Sequence, residues 1–194
     1  HDQPARAEFI RVQIELARVD EYDSRRDDLE VRENALLQAH QVEWLGSLCN
    51  VFDEWEFRRG FLEMISVDAD TLLKSTKTHL NSIPLRRVEI ENAVECEEQL
   101  ARCSFLKGVR DLQLAGPELL DLETLLPPLL RLTRLELCNQ SLDTPSMESI
   151  LRHGRNVTHL SLTNCSLGIA DIELLARSEL GGQLVEDRVD DNPF

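Results

Sequence analysis

Aliphatic residues recur at a fixed spacing along the second half of the chain. Residues 157–167 and 132–142 both carry an aliphatic residue at positions 1, 4, 6 and 11 of an eleven-residue pattern, with Cys165 and Gln140 at position 9. The stretches that begin at Val109 and Leu85 keep the first three of these aliphatic positions. The residues at position 4 are separated by 24, 23 and 25 residues, and they are Val88, Leu112, Leu135 and Leu160. A period of this length predicts successive copies of one structural unit.

Each unit is predicted to contain one short strand, a turn and a return segment. Successive residues of a strand point to opposite faces, so positions 4 and 6 are expected to point inwards and positions 3 and 5 outwards. Helical return segments are predicted over residues 94–106, 143–152 and 169–180. In the return segment 118–130 the helix should end near Leu126, because Pro127 and Pro128 follow. Position 9 is expected to bond the neighbouring turn, which predicts that Cys165 is a buried structural thiol.

Two less regular units flank these repeats. Residues 60–83 are interpreted as an atypical first repeat, with a strand over 60–65 and a helix over 68–80. Residues 181–194 are interpreted as a degenerate last repeat. There Asp187 stands at a position where the pattern has an aliphatic residue. Asn192 and Phe194 still match positions 9 and 11 of the pattern.

The chain before the repeats has the hydrophobic spacing of helices. Helices are predicted over residues 5–20 and about 25–44, packed as an antiparallel hairpin. Five of the nine aromatic residues fall within 18 residues at the junction with the repeats: Trp44, Phe52, Trp55, Phe57 and Phe61. We interpret them as a hydrophobic seam that joins the helices to the first repeat, with a small-molecule pocket as the alternative. The predicted organisation is a helical capping region over 1–59 and repeats over 60–194.

These patterns resemble a known family. The repeats are similar to leucine-rich repeats of the ribonuclease-inhibitor subtype, and residues 3–18, 32–37 and 43–46 resemble the bacterial repeat-companion domain that precedes such repeats. The resemblance covers essentially the whole chain. It implies an α/β solenoid with parallel strands on the concave face and helices on the convex face, capped by the helical hairpin. It also implies a binding scaffold without catalytic residues, and a helix that normally precedes Pro4, so the sequence is expected to be a fragment or a processed form.

The net charge of the chain limits the classes of partner that it is expected to bind. Lys and Arg number 21 against 36 Asp and Glu, a net charge of −15, which disfavours binding to nucleic acid or an anionic membrane. No apolar run approaches the roughly 20 residues of a membrane-spanning helix. The five cysteines form no C-x-x-C pair, which favours reduced thiols and a cytoplasmic location.

The sequence contains only one imperfect match to the catalytic motifs considered. Asp68-Ala-Asp70-Thr71 resembles the aspartyl nucleophile loop of haloacid-dehalogenase-like phosphatases, but the threonine stands one place too early, so a helix cap is the preferred interpretation. The chain contains no phosphate-binding glycine loop, nucleophile elbow or zinc-peptidase motif. We therefore predict no catalytic residues, no cofactor and no metal ion.

The outward strand positions are the candidate site. They form two predicted columns, Arg87, Asp111, Arg134 and His159 in the first and Glu89, Gln113, Glu136 and Ser161 in the second. Ion pairs are expected to run from Arg87 to Asp111 to Arg134, which by themselves would make only a solvated, self-neutralised sheet. The functional interpretation is a docking face for a protein partner, possibly one with a basic surface, although the helical back or the open end could also bind.

The predicted function is a non-enzymatic protein-protein interaction module. One alternative is a regulator of an enzyme, GTPase-activator-like or inhibitor-like, for which Arg58, Arg59 and Arg155 are candidates. A second alternative is a structural segment of a larger repeat protein or assembly. The pattern leaves the partner's identity and the oligomeric state open.

Overall fold

Two helices begin the chain. The computed structural model describes residues 4–75 and 80–192, and its first helices are α1 (Pro4–Leu16) and α2 (Arg26–Leu45). Arg25 pairs with Glu15, and Arg32 pairs with Glu8, so the two helices run antiparallel. The predicted hairpin is confirmed, although α1 ends four residues earlier than its pattern predicts. A single 3-10 turn, Gly46–Leu48, follows α2.

A mostly parallel sheet follows the helices. Its strands, in chain order and in spatial order within the described residues, are β1 (Glu54–Arg58), β2 (Phe61–Asp68), β3 (Arg87–Glu91), β4 (Asp111–Ala115), β5 (Arg134–Cys138), β6 (His159–Thr163) and β7 (Glu186–Arg188). β1 pairs with β2 antiparallel, and every later neighbouring pair is parallel. The prediction of an α/β fold is confirmed at this level.

The register of the central strands follows the sequence period. Val88 lies opposite Leu112, Leu112 opposite Leu135, and Leu135 opposite Leu160. All four side chains are at most 2% exposed, because alternate strand residues point into the core. The predicted stacking of these residues on neighbouring parallel strands is therefore confirmed.

The return segments hold six described helices, and the helix over Thr144–His153 has the predicted length. They are α3 (Ala69–Ser75), α4 (Glu97–Ala101), α5 (Leu122–Leu125), α6 (Thr144–His153), α7 (Ile169–Arg177) and α8 (Glu179–Gln183). α5 ends where the following prolines require it. Asp143 caps α6 by accepting a hydrogen bond from Ser146 N at 2.9 Å, as its sequence predicts.

Two helix predictions need correction, and a third falls partly outside the described residues. The segment 94–106 is helical only in α4, and a 3-10 turn, Leu106–Gly108, follows. The helix predicted over 169–180 breaks at Ser178, whose backbone is extended and whose hydroxyl caps α8 by accepting from Gly181 N at 2.9 Å. Part of the helix predicted over 68–80 lies at 76–79, outside the described residues.

Strand β1 lies within residues 1–59, in a part of the predicted capping region for which no strand was predicted. Its Phe57 is buried, and a register shift between Glu56 and Phe57 bends the strand. Gln13 of α1 holds the β1–β2 turn: its Nε2 donates to Phe57 O at 2.7 Å and its Oε1 accepts from Gly60 N at 2.7 Å. Gly60 has φ +79°, and a Cβ there would lie 2.1 Å from Cγ1 of Ile10. The helices and the sheet are therefore in close contact at this turn.

An aromatic seam connects the helices to β1. The ring of Phe9 lies 4.8 Å from Trp44 and 6.1 Å from Phe57, and the Arg6 guanidinium lies 4.8 Å from the rings of both Trp44 and Phe57. The interpretation of the aromatic cluster as a seam is confirmed for these residues. Phe61 is 54% exposed and lies outside the seam, which corrects its assignment.

The last unit keeps the turn contacts of a repeat, but its strand has an aspartate at the position of the core residue. Asp187 lies opposite Leu160 in β6, where the earlier strands place an aliphatic side chain. Asn192 nevertheless accepts hydrogen bonds from Cys165 N at 2.8 Å and Leu167 N at 3.1 Å. Phe194 lies outside the described residues.

Cys165 is fully buried. Its thiol donates to Leu137 O at 3.3 Å, in the preceding unit, which confirms the predicted structural role.

Left-handed residues follow the parallel strands and extend the sheet's hydrogen bonding by one step. Positive φ angles occur at Asn92, Gly116, Asn139, Asn164 and Asp191. The first four donate a backbone hydrogen bond to the strand end or turn of the next unit, at Ala115, Cys138, Thr163 and Asp190. Asn, Asp and Gly tolerate this backbone region best, which explains the residue types found there.

Among the helices in the described parts of the chain, none combines the length and apolar character of a membrane span.

Candidate functional site

The outward face of the parallel strands carries all eight residues predicted as the site. The strand register aligns Arg87, Asp111, Arg134 and His159 in one row, and Glu89, Gln113, Glu136 and Ser161 in the next. Each of the eight is partly exposed. The two predicted columns therefore exist as rows of neighbouring side chains on one surface, which we call the outward face.

Arg87 is the centre of a hydrogen-bond network on this face. Its Nε lies 2.7 Å from Oε1 of Glu89, and its Nη2 donates to Oε1 of Gln113 at 3.0 Å. Its Nη1 lies 3.3 Å from Oε1 of Glu136, two strands away. Five donor positions on one planar group let a single guanidinium join residues from three strands.

This network corrects the predicted Arg87–Asp111–Arg134 ladder. Within residues 4–75 and 80–192 no ion pair joins Asp111 to either arginine. Neighbouring strands are about 4.8 Å apart, so a long arginine side chain reaches beyond its opposite residue, whereas the short aspartate carboxylate stays near its own strand. Arg134 instead lies 3.9 Å from Glu136 and 3.7 Å from Glu186 of β7.

The other two predicted residues stay outside the network. His159 Nδ1 lies 2.9 Å from the hydroxyl of Thr158, and Ser161 Oγ lies 3.2 Å from the hydroxyl of Thr163. Five of the eight predicted residues are thus linked to one another by hydrogen bonds or ion pairs. Asp111, His159 and Ser161 lie on the same face but outside this network.

Electrostatics on the outward face are governed by its carboxylates. Burial alone would lower the pKa of Arg87, but the hydrogen bond to Glu89 and the charges of Glu136 and Glu89 raise its pKa above the ordinary value. The arginine is therefore held firmly in its charged form.

Cys138 is a residue of this face that the sequence reasoning missed. It continues the outward alternation of β5 beyond Glu136, and the register aligns it with Ala115 and Thr163. Burial raises the pKa of its thiol, and the negative charges of Glu136 and Glu89 raise that pKa further. The signal was available in the period-2 pattern of the strand, which extends to position 7.

The outward face extends to both edges of the sheet and is acidic. Register pairs Glu56 with Met64, Met64 with Arg87, and His159 with Glu186. The register also aligns a third row, which consists of Asp68, Glu91, Ala115, Cys138 and Thr163. Over the three rows together, eight side chains carry a carboxylate and three carry a guanidinium group. The carboxylates belong to Glu54, Glu56, Asp68, Glu89, Glu91, Asp111, Glu136 and Glu186, and the guanidinium groups to Arg87, Arg134 and Arg188.

A Ser–Glu–His cluster lies away from this face, between α5 and α6. Oε2 of Glu123 accepts from the Ser149 hydroxyl at 2.8 Å, and its Oε1 lies 3.3 Å from Nε2 of His153. The hydrogen bond from Ser149, followed by that of His153, lowers the pKa of Glu123. The carboxylate separates the serine from the histidine, whereas a nucleophilic serine needs the base on its own hydroxyl. This geometry is a clasp between two helices.

The acids after β2 act as a helix cap. Oδ1 of Asp68 accepts from the backbone N–H of Asp70 at 3.1 Å and of Thr71 at 3.3 Å, which confirms the capping interpretation. Asp70 in turn pairs with Lys74 at 2.7 Å.

The three arginines considered for enzyme regulation lie at two separate places along the sheet. Arg58 and Arg59 flank the β1–β2 turn and pair with Glu56 and Glu63, whereas Arg155 precedes β6. Three strands separate β2 from β6, so Arg155 lies apart from Arg58 and Arg59.

In the described ranges, no group of three or more His, Cys, Asp or Glu side chains is arranged to hold a metal ion. The sequence matches no known protein family, and no curated protein or solved structure is significantly similar to it.

Proposed function

We propose that the chain is a non-enzymatic protein-interaction module that binds a protein partner through the outward face. In this proposal it is a leucine-rich repeat protein of the bacterial type with an N-terminal repeat-companion domain, and its strands form the concave side of a short solenoid. The observation that carries the proposal is the register of Val88, Leu112, Leu135 and Leu160. This register aligns the outward side chains in continuous rows.

Rigidity makes these rows suitable for binding. The outward side chains start from strands whose inner residues are buried, and Arg87 is further held by three neighbours. A side chain that is already ordered loses little conformational entropy when a partner docks. The outward face is also broad, since it spans neighbouring strands instead of forming a closed pocket.

Charge specifies the kind of partner. The excess of carboxylates on the outward face has the same sign as the net charge of −15, so a basic partner surface is complementary to it. Such binding should weaken as the salt concentration rises, because added ions screen exposed charges. The five free cysteines favour a reducing, cytoplasmic location for this interaction.

Capture of the partner tests the proposal. The immobilised chain is incubated with lysate of the native cell, and the same is done with Arg134→Glu and Glu136→Arg. Arg131→Glu and Glu148→Arg are matched controls, because both parent residues are exposed, carry no ion pair in the described ranges and lie off the outward face.

The proposal expects the control variants to recover the same partner as the parent, and Glu136→Arg, which makes the outward face less acidic, to lose it. Arg134→Glu makes the face more acidic and also breaks the contacts of Arg134 with Glu136 and Glu186, so it should recover the partner in a changed amount. Equal recovery by all five proteins would exclude the outward face as the binding site. Circular dichroism of each variant separates lost binding from lost folding.

A further inference from the structure

A cavity opens beside the carboxyl ends of β3 and β4, among the turns that follow them. Its volume is about 350 Å³, and it is lined by residues 92–95, 115–118, Leu120 and Gln140. Two neighbouring cavities share Val94 and Glu95 with it, so the three adjoin one another, and we call them together the groove. The volume is at the lower end for ligand sites and suits a single side chain better than a large cofactor.

Gln140 supplies an unused acceptor at this cavity. Its side chain is almost fully buried, with 2% exposed, and its Oε1 has no hydrogen-bond partner in the described parts of the chain. The corresponding positions after the next two strands are Cys165 and Asn192, and both side chains bond the backbone of the neighbouring unit. A buried acceptor without a donor is unfavourable, so a ligand that donates a hydrogen bond there would be stabilised.

The mouth of the cavity is acidic. Glu95 and Glu118 line it, both are exposed, and neither has an ion pair within residues 4–75 and 80–192. Asn92 also lines the cavity, and its side-chain Nδ2 already donates a hydrogen bond to Oδ2 of Asp68 at 3.1 Å. The side chains of this cavity therefore present acceptors.

The whole groove continues this charge. Its three cavities are lined by eight carboxylates and by no Lys, Arg or His of the described residues. Two of the carboxylates, Asp70 and Glu123, pair with cations that stand outside the groove. The remaining six are Asp68, Glu95, Glu97, Glu118, Asp121 and Asp143.

We propose that this cavity binds the guanidinium group of an arginine carried by an extended segment of a partner protein. A guanidinium has five donors and no acceptor, which complements Glu95, Glu118 and Gln140. The alkyl stem of the arginine would lie along the apolar lining of Val94 and Pro117. Arginine suits the cavity better than lysine, because its planar fork is more weakly hydrated and can bond two acceptors at once.

The test uses the full chain, labelled with ¹⁵N, and a blocked pentapeptide with a central arginine between alanines. Matched peptides carry lysine or citrulline, which has nearly the shape of arginine without its charge. The arginine peptide should shift the amide resonances of residues 92–95, Ala115, Gly116, Glu118 and Gln140, since Pro117 has no amide proton. The citrulline peptide should bind at least about tenfold more weakly, and the lysine peptide several-fold more weakly.

Two variants locate the site. Glu118→Gln, at an exposed position, should weaken the arginine peptide several-fold, and Glu148→Gln on α6 should leave its affinity unchanged. Gln140→Leu removes the unpartnered acceptor and should also weaken binding, provided its amide spectrum shows a folded chain.

Several results would overturn the proposal. They are equal affinity for the arginine and citrulline peptides, equal affinity for arginine and lysine, shifts confined to other parts of the chain, or no shift at millimolar peptide. None of these outcomes depends on the outward face or on its partner, so failure here is distinguishable from failure of the proposed function.

Discussion

Nη1 of Arg87 lies 3.3 Å from Oε1 of Glu136, although strand β4 separates the two strands that carry them. Together with the Arg87–Glu89 and Arg134–Glu136 contacts, the pair shows that charges on the outward face are satisfied within a strand or across two strands, instead of between opposite neighbours on adjacent strands. As a consequence Asp111, which lies directly opposite both Arg87 and Arg134, keeps a carboxylate without an ion pair in the described ranges. A partner protein therefore meets a face in which one part is internally paired and another part is free.

Removal of the Arg87 guanidinium should destabilise the chain modestly. Arg87→Ala leaves Glu89 and Glu136 near each other without their shared cation, and we expect the free energy of unfolding to fall by about 0.5 to 1 kcal/mol. Urea denaturation at low salt measures the change, and high salt should reduce it. Arg110→Ala, at an exposed residue outside the network, is the control. Identical losses in the two variants would contradict the role of the network.

Truncation of an inward leucine should have a much larger effect. Leu135 is 0% exposed between Leu112 and Leu160, so Leu135→Ala should cost about 2 to 5 kcal/mol of unfolding free energy. Leu130 is 73% exposed, and Leu130→Ala should change stability by less than about 0.5 kcal/mol. Chemical denaturation compares the two variants. A small loss at Leu135 would mean that this position does not lie in the packed core.

The Cys165 thiol should resist alkylation in the folded chain. Burial raises its pKa to about 11, so at pH 8 only about one thousandth of it is thiolate, and its 0% exposure also blocks the reagent. Mass spectrometry after brief iodoacetamide treatment should find Cys165 unmodified, and denatured protein should be labelled at all five cysteines. Labelling of Cys165 as fast as that of the partly exposed Cys49 would refute this assignment.

Acidification should loosen the clasp between α5 and α6. The hydrogen bond from Ser149 is the main cause that lowers the folded-state pKa of Glu123 below its ordinary value of 4.5. A depressed carboxyl pKa stabilises the fold above that ordinary value, and this stabilisation is lost as the pH falls through the folded-state pKa. Glu123→Gln should therefore lower the urea midpoint at neutral pH and show a smaller further loss on acidification than the parent.

The matched control for this acid dependence is Glu148→Gln, also on α6 and exposed. It should keep the parent's pH profile. If Glu123→Gln also kept that profile, the ionised carboxylate of Glu123 would not stabilise the fold.

Sequence periodicity was sufficient to predict the parallel register of β3 to β6, because core residues at a constant spacing leave only one way to bury them together. It was insufficient for β1. Residues 54–58 alternate between charged and aromatic side chains, which is a strand pattern, but the aromatic residues were interpreted only as a seam. The helix break at Ser178 was missed because its cap is a single hydroxyl–backbone contact.

The candidate site was likewise predicted only in part. Its rows follow from strand alternation and could be predicted residue by residue. The pairing within the rows could not, because it depends on how far each side chain reaches. The same holds for the unpartnered Gln140, which differs from an asparagine at that position by one methylene group.

The affinity of the Asp111→Lys variant for the captured partner tests the central claim most directly, because Asp111 lies on the outward face and takes part in none of the ion pairs of Arg87. Calorimetry with the purified partner should give binding at least about tenfold weaker than the parent's, equivalent to about 1.4 kcal/mol, whereas Glu148→Lys should bind as the parent does. Unchanged affinity of Asp111→Lys, in a chain that folds normally, would contradict the assignment of the outward face as the binding surface.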